Sequence, residues 1–259
     1  MKINSYDKLK EYVKAMNTRE ITLLIIKSRG GLGKTYTTES QIPERDRLTF
    51  KGHATPLSVY LDVYENPTKI ILFDDVDSLL DNKSMVAIMK QLCEVKQDKD
   101  VFYNTSASRR GKPVPPSFKS NNQVILLCND IKDWGEDMKA VLTRGFFIDF
   151  EPSNIEIFEQ LKKFAKDKVI LNFLENRLKF IHNFNFRIYS KAEQLKNAGL
   201  DWKNWIDKEH KVNSEEAIMY EVMKLPLVER NEDWKRRTGK SVRSLQRMIR
   251  NKKDVEVEE

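Results

Sequence analysis

Residues 21–35 read ITLLIIKSRGGLGKT, an apolar run of strand length followed by a glycine-rich stretch and the pair Lys34-Thr35. From Ser28 to Thr35 the chain matches the pattern GxxxxGK[ST] at every position except the first, where serine replaces glycine. The backbone N–H groups of such a loop surround phosphate oxygens, so glycine is needed where a side chain would block the approach. The stretch therefore predicts a phosphate-binding loop between a strand and a helix.

Two residues of this loop have the functional groups that nucleotide chemistry needs. We expect Lys34 to contact the terminal phosphates and Thr35 to ligate magnesium. The expected nucleotide-binding residues are Ser28, Arg29, Gly30, Gly31, Leu32, Gly33, Lys34, Thr35 and Tyr36. The alternative is a glycine turn that precedes a helix by chance.

A second motif follows at residues 70–75, IILFDD, which has the form of a buried strand ending in two carboxylates. We expect Asp74 to hold magnesium and Asp75 to orient or deprotonate the attacking water, with Asp77 as a lesser candidate. The alternative is that these aspartates only cap the following helix. Together the two motifs predict a magnesium-dependent P-loop nucleoside-triphosphatase.

Hydrophobic periodicity predicts an alternation of helices and strands over the first 150 residues. The expected strands are 21–27, 47–51, 69–73, 123–128 and 146–150, and the expected helices are 7–16, one beginning near 34, 56–64 and 84–95. Strands that alternate with helices form parallel sheets with covered faces, so the fold class is α/β.

After Pro152 every expected element is helical. We predict an α/β nucleotide-binding domain at 1–151, a helical lid domain at 152–210, a basic helix-turn-helix-like domain at 211–253 and a frayed acidic tail at 254–259.

Composition excludes several classes of protein. Of 259 residues, 40% are hydrophobic and 33% charged, as in globular proteins with a charged surface, and the net charge of +7 favours anionic partners. Apolar runs are too short to span a bilayer and no signal peptide opens the chain, so we expect a cytoplasmic protein. Cys93 and Cys128 lack the spacing of a zinc or redox site, and we expect reduced core thiols.

With these motifs in order, residues 20–200 resemble the AAA+ ATPases. Asn129 follows the apolar strand 124–128 as sensor 1 does in that family, where it reads the γ-phosphate and water. Arg144 lies where the family has its arginine finger, and Arg187 lies where the lid's sensor 2 contacts phosphates. A turn-capping role for Asn129 and surface positions for the two arginines remain as alternatives.

The resemblance implies ATP and Mg²⁺ as cofactors and a homo-oligomer in the form of a ring or open spiral, with a hexamer as the expected size. A finger at Arg144 would complete the site of a neighbouring subunit. The family commonly has glutamate where this chain has Asp75, whose shorter side chain affects the expected rate of hydrolysis and not nucleotide binding.

The segment 235–253 contains nine basic residues and no acidic one. The apolar residues of 242–250 share one helical face and the arginines another, and a Thr238-Gly239 turn precedes them, as in a helix-turn-helix. It resembles modules appended to replication ATPases of phages, plasmids and archaea, which implies DNA binding. The expected DNA contacts are Arg236, Arg237, Lys240, Arg243, Arg247 and Arg250. A solvated basic helix is the alternative.

A second expected nucleic-acid contact is the stretch 104–122. Superfamily-three helicases have a hairpin at this place that enters the pore of the ring. By this resemblance, we expect Arg109, Arg110 and Lys112 to bind the phosphates of a nucleic-acid strand. An ordinary surface loop is the alternative.

Two functions remain open from sequence. The first is an oligomeric ATPase acting on DNA as a replication helicase, a helicase loader, or an initiation or transposition ATPase, with a replication protein as a candidate partner. The second is a regulatory or protein-remodelling switch whose basic module binds another macromolecule. A P-loop kinase is a distant third. Richness in lysine, asparagine and isoleucine hints at a phage- or plasmid-encoded chain.

Overall fold

The computed structural model describes residues 1–52, 54–75, 82–104, 108–109, 112–131 and 134–256, with backbone alone at 108–109, 112–113 and 251–256. The chain divides into two compact units, Met1–Glu156 and Ile157–Glu259.

The first unit contains a six-stranded parallel sheet in the order β1-β10-β2-β9-β4-β3. Its strands are β1 (Lys2–Ile3), β2 (Leu23–Lys27), β3 (Arg47–Lys51), β4 (Ile70–Asp74), β9 (Val124–Cys128) and β10 (Phe146–Phe150). The five strands expected from sequence are all present, and β1 adds an edge strand that we did not predict. The architecture is therefore of the α/β class, as the sequence predicts.

Three adjacent strands inside the sheet, β2, β9 and β4, are buried at nearly every position because they are continuous apolar runs covered on both faces. Their register aligns Lys27 with Cys128, and Asp74 with Leu127. Parallel strands in this register end together, so the residues that follow them emerge along one edge of the sheet.

Helices cover this sheet: α1 (Tyr6–Ala15), α2 (Lys34–Glu39), α3 (Pro56–Glu65), α4 (Lys83–Leu92) and α5 (Glu136–Leu142). Side chains of Ser5, Thr55 and Asn82 accept hydrogen bonds from the first-turn N–H groups of α1, α3 and α4, which otherwise lack intrahelical partners. The predicted core thiols Cys93 and Cys128 are both buried in this unit, and the two do not form a disulfide.

Between α4 and β9 the chain forms a hairpin in two parts. Strands β5 (Lys99–Phe102) and β8 (Ser117–Ser120) pair as its base, and β6 (Ser108–Arg109) and β7 (Lys112–Pro113) pair further out. At the base, the buried Lys99 Nζ donates to the carbonyls of Leu92 and Asn122, each at 2.6 Å. Burial lowers the pKa of this lysine to about 8.

The second unit is helical, and the boundary between units falls within α6 (Asn154–Lys162). The helices that follow are α7 (Lys168–Arg177), α8 (Phe186–Asn197), α9 (Trp202–Glu209), α10 (Ser214–Val222), α11 (Leu227–Thr238) and α12 (Val242–Glu256). Buried Arg177 of α7 donates to Asp207 at 2.6 Å and to Glu221 at 2.5 Å, which ties α7, α9 and α10 together. Residues 254–256, which include Asp254 and Glu256 and were expected in a frayed tail, continue α12.

Helices α10, α11 and α12 pack around a small core of Met219, Val222, Trp234 and Leu245. The turn between α11 and α12 passes through Gly239, whose φ of 70° lies in the left-handed region that glycine tolerates. Among the described residues, no helix combines the length and apolar composition that crossing a bilayer requires.

Candidate nucleotide-binding site

The glycine-rich loop runs from the end of β2 into α2. The N–H of Ser28 donates to the carbonyl of Cys128 at 3.1 Å, which anchors the start of the loop to β9. Gly31 and Gly33 have φ values of 81° and 72°, so the loop needs glycine at these two positions. The Ser28 side chain is buried, and serine therefore fits where the pattern has glycine.

Lys34 is the first residue of α2, and only 6% of it is exposed. Its Nζ donates to the carbonyl of Ser28 at 3.1 Å and to Oδ1 of Asn129 at 2.6 Å. Asn129 is 95 residues away along the chain but follows β9, the neighbour of β2. The sheet topology therefore brings together the two residues that sequence had assigned to the phosphate and to sensor 1.

Thr35 and Asp74 form the second pair of the site. The Thr35 hydroxyl donates to Oδ1 of Asp74 at 2.9 Å, and Asp74 is 9% exposed at the end of β4. Hydroxyl and carboxylate oxygens are the hard ligands that magnesium prefers, and magnesium usually takes its remaining ligands from water and phosphate. The donor set therefore fits the expected ion. In the described ranges, three or more His, Cys, Asp or Glu side chains do not cluster as a metal site.

Asp75 has an unusual backbone. Its φ of 54° places it in the left-handed region, which Asp enters more readily than most residues but still at a cost in energy. Nδ2 of Asn129 lies 3.4 Å from Oδ1 of Asp75 and donates to it. The site thus links Ser28, Lys34, Asn129 and Asp75 in one hydrogen-bonded chain. Asp77 lies outside the described residues.

Arg144 lies at the opposite edge of the sheet, where the parallel strands begin. It precedes β10, which pairs with β2 so that Phe146 stands beside Leu24 and Asp149 beside Lys27. The length of the strand, five residues at about 3.3 Å each, separates Arg144 from its own loop by roughly 15 Å. The arginine is half-buried and donates to the carbonyl of Lys90 at 3.2 Å.

Two further residues assigned to the nucleotide are solvent-accessible. Arg187 is exposed in the first turn of α8 in the second unit, where the Asn185 side chain caps the helix. Tyr36 is 67% exposed, next to Thr35 in α2. Arg29 is half-buried in the loop, and burial lowers its pKa, opposed by Tyr6 and Glu151.

The basic residues assigned to DNA fall into two groups. Arg236, Arg237 and Lys240 form ion pairs with the acidic side chains of Asp233, Glu221 and Glu215. Helical spacing alone predicts the pairs of Asp233 with the arginines three and four residues later. The pairs with α10 depend on tertiary packing, so spacing does not predict them.

The second group is Arg243, Arg247 and Arg250, all exposed on α12. Among the side chains that the structure describes, none of the three forms an ion pair. Leu245 is buried while Met248 and Ile249 pack beside it, so the predicted separation of an apolar and a basic face is confirmed. The exposed face has arginines at intervals of four and three residues, which keeps them on one side of the helix.

The hairpin residues can be located only in part. The backbone places Arg109 opposite Lys112 in the outer strand pair, and Arg110 lies outside the described residues. The stretch therefore forms a β-hairpin, whereas the sequence left open either a hairpin or an ordinary surface loop.

Sequence reasoning missed one residue that contacts the phosphate-binding loop. The Tyr6 hydroxyl donates to the carbonyl of Leu32 at 2.8 Å, inside the loop. Nothing in the pattern around Tyr6 distinguishes it from any apolar residue on the buried face of α1, because the contact depends on tertiary packing.

Comparison with known proteins gives little beyond the fold. No family model matches the chain. No curated protein matches either. Solved structures that resemble it include a DNA replication initiation factor, with 14% identity and a TM-score of 0.43 over 84% of this chain and 65% of that one. NtrX from Brucella abortus in complex with ATP has 12% identity and a TM-score of 0.45, over 88% of this chain and 58% of that one.

A third is PCH-2 of C. elegans, with 12% identity and a TM-score of 0.42 over 73% of this chain and 62% of that one. The chain thus spans less than two thirds of each of these proteins. At such identities a likeness concerns the fold alone. The α/β P-loop class therefore depends on the strand order, the register and the geometry of the loop.

Proposed function

We propose that this protein is an ATP-hydrolysing P-loop protein of AAA+ type that acts on DNA as an oligomer. The observation that carries the proposal is the hydrogen-bonded convergence of Lys34, Thr35, Asp74, Asp75 and Asn129 at one edge of the sheet. These five residues come from three separate segments of the chain. A glycine turn formed by chance would not bring them together.

Each of these residues has a role in the proposed reaction. The loop N–H groups and Lys34 bind the phosphates, so Lys34 exchanges a hydrogen bond with Asn129 for bonds with phosphate oxygens. Thr35 and Asp74 hold Mg²⁺, which when bound neutralises charge on the phosphate oxygens. Asp75 accepts a proton from, or orients, the attacking water, and Asn129 holds Asp75 and the water in place.

The position of Arg144 supports an oligomer. An arginine at the opposite edge of the sheet is too far from its own loop to contact the γ-phosphate, so it acts on a nucleotide bound by a neighbouring subunit. Arg187, in the second unit, is assigned to the phosphates of the bound nucleotide on the resemblance alone.

Charge supports DNA as the partner. Three exposed arginines on α12 present a cationic face that pairs with phosphates, and a helix of this kind fits the major groove. The hairpin with Arg109, Arg110 and Lys112 is a second proposed contact with a nucleic-acid strand.

A protein-remodelling or regulatory switch remains the second candidate, and one observation favours it. At the start of α11, the adjacent Leu227 and Val228 are 67% and 71% exposed, and neighbouring exposed apolar side chains of this kind are suited to contact with protein. In that case ATP would control assembly and DNA would have no effect.

The deciding experiment measures the ATPase rate and particle mass with no DNA, with single-stranded DNA and with duplex DNA over a range of salt. We expect DNA to raise the rate per subunit, and we expect this stimulation to fall steeply as salt increases. ATP hydrolysis that no DNA alters would favour the switch. Absence of any hydrolysis or ATP binding would reject both functions.

A further inference from the structure

Tyr6 connects the first helix to the middle of the phosphate-binding loop. It is the first residue of α1, and 1% of it is exposed. Its hydroxyl donates to the Leu32 carbonyl at 2.8 Å. Its ring meets Phe150, the last residue of β10, edge to face with centroids 5.0 Å apart, and its N–H donates to Oε1 of Glu156 at 3.0 Å. Both the ring and the backbone of Tyr6 are therefore held in place.

The bond to Leu32 determines how one peptide group of the loop is oriented. In a planar trans peptide the C=O of one residue and the N–H of the next point in opposite directions. With the Leu32 carbonyl directed at Tyr6, the N–H of Gly33 is directed away from Tyr6. The Gly33 carbonyl is also occupied, because it accepts from the N–H of Thr37 at 2.8 Å. Both peptide groups that flank the Gly33 Cα are thus held by hydrogen bonds.

The Tyr6 hydroxyl keeps the proton that it donates to Leu32. Burial raises the pKa of Tyr6 above its usual range, so the hydroxyl keeps its proton at any physiological pH. Leu32 itself is 1% exposed, so its carbonyl has little access to water that could replace the tyrosine. Removing the hydroxyl would leave this carbonyl without its partner and free to turn into the loop, where its negative end would repel phosphate.

We infer that Tyr6 is a positioning residue for the phosphate-binding loop: its hydroxyl holds the Leu32 carbonyl outward so that the Gly33 N–H faces the phosphates. This inference rests on the proposed function, because it requires that the loop binds a nucleoside triphosphate. It adds a residue of α1 to the nucleotide site that the loop pattern does not contain.

The test is the affinity of Tyr6→Phe for ATP in the presence of Mg²⁺, measured by calorimetry on the full chain. This change removes one oxygen and keeps the ring against Phe150. We expect binding about five- to thirty-fold weaker, the loss that goes with one hydrogen bond to a buried carbonyl. Inorganic tripolyphosphate should lose affinity by the same factor, because the effect operates on phosphate and not on the base.

Tyr60→Phe is the matched control. Tyr60 is fully buried, and its hydroxyl also donates to a backbone carbonyl, that of Pro115, at 2.7 Å. It belongs to α3 and contacts the hairpin side of the unit. We expect both variants to lower the melting temperature by similar amounts, and we expect Tyr60→Phe to bind ATP like the wild type.

The outcomes separate the inference from the proposed function. If the wild type binds ATP and Tyr6→Phe binds it equally well, Tyr6 is only structural and the inference is wrong. If the wild type binds neither ATP nor tripolyphosphate, the proposed function itself fails. Should Tyr6→Phe not fold, Phe150→Leu loosens the ring and keeps the hydroxyl, and we expect about two- to fivefold weaker binding. Unchanged affinity in Phe150→Leu would then overturn the inference.

Discussion

The nucleotide edge of the first unit and the basic face of α12 differ in the physical reason for which their residues are candidates for function. At the nucleotide edge, the parallel strands end together and place the buried Lys34 and Asp74 and the exposed Asn129 in one region, where Lys34 donates to Asn129. On α12, Arg243 and Arg247 are proposed to bind DNA because they are exposed and, unlike Arg236 or Arg237, form no ion pair among the described side chains.

Sheet topology therefore determines which residues meet at the nucleotide edge, whereas pairing with acidic side chains determines which cations stay available on the basic helices. Each single substitution at the nucleotide edge should therefore strongly lower either the ATPase rate or the affinity for ATP. Substitutions on α12 should change affinity weakly and in proportion to the number of unpaired charges removed.

The largest effect is expected at Asp75. Asp75→Asn keeps a residue that tolerates the left-handed backbone and removes the carboxylate, so kcat should fall about 1,000-fold while ATP affinity changes little. The measurement is a steady-state ATPase assay alongside ATP titration. Asp98→Asn is the control, because Asp98 has a φ of 52° and bonds to Asn121, away from the site. Similar losses in both variants would show that backbone strain and not chemistry was disturbed.

The next effect is expected at Arg144. Arg144→Ala should lower kcat about 100-fold in the assembled protein, because a charged donor that stabilises the transition state is lost. The ATP affinity of the isolated subunit should stay the same.

A mixing experiment tests whether the finger acts between subunits. Arg144→Ala retains its own loop and Lys34→Ala retains its own arginine, so a mixture of the two inactive variants should recover part of the ATPase rate. Arg45→Ala, which removes an exposed arginine, should behave like the wild type. A mixture as inactive as its components would contradict a site shared between subunits.

The smallest effect is expected on α12. Replacing Arg243, Arg247 and Arg250 together with alanine should reduce the slope of log affinity for duplex DNA against log salt by roughly 2 to 3, about one unit per lost phosphate contact. Fluorescence anisotropy with a labelled duplex measures this slope.

The matched control replaces Arg236, Arg237 and Lys240, which removes the same charge from residues that are already paired with Asp233, Glu221 and Glu215. We expect this variant to change the slope less and to lower the melting temperature more. Equal slopes in the two triple variants would contradict the division into paired and unpaired cations.

Much of the nucleotide edge could be predicted from sequence, because buried parallel strands leave continuous apolar runs such as 70–73 and 124–128. Once the strand order is known, the polar residues after each run must share an edge. What the pattern could not predict is the left-handed backbone of Asp75 or the bond from Tyr6 to Leu32. Both depend on tertiary packing that no local periodicity encodes.

The hairpin and the basic helices were harder to predict for a different reason. Strands β5 and β8 have four residues each, and β6 and β7 have two, which is too short for an alternation to stand out. The basic residues of 235–240 gave no sign of being paired, because the segment 235–253 itself contains no acidic residue. Two of their partners, Glu221 and Glu215, come from α10, 16 and 25 residues earlier in the chain. The third, Asp233, lies three and four residues before Arg236 and Arg237 and just outside the segment.

The central claim is that Lys34 belongs to a working triphosphate site, and calorimetric titration of ATP with Mg²⁺ tests it most directly. The wild type and Lys51→Ala, which removes an exposed lysine of β3 paired with Glu39, should bind ATP alike. Lys34→Ala should bind about 100-fold more weakly, equivalent to about 2.7 kcal/mol, because charge-assisted bonds to phosphate are lost. Equal affinity in all three proteins, or no binding in the wild type, would contradict the claim.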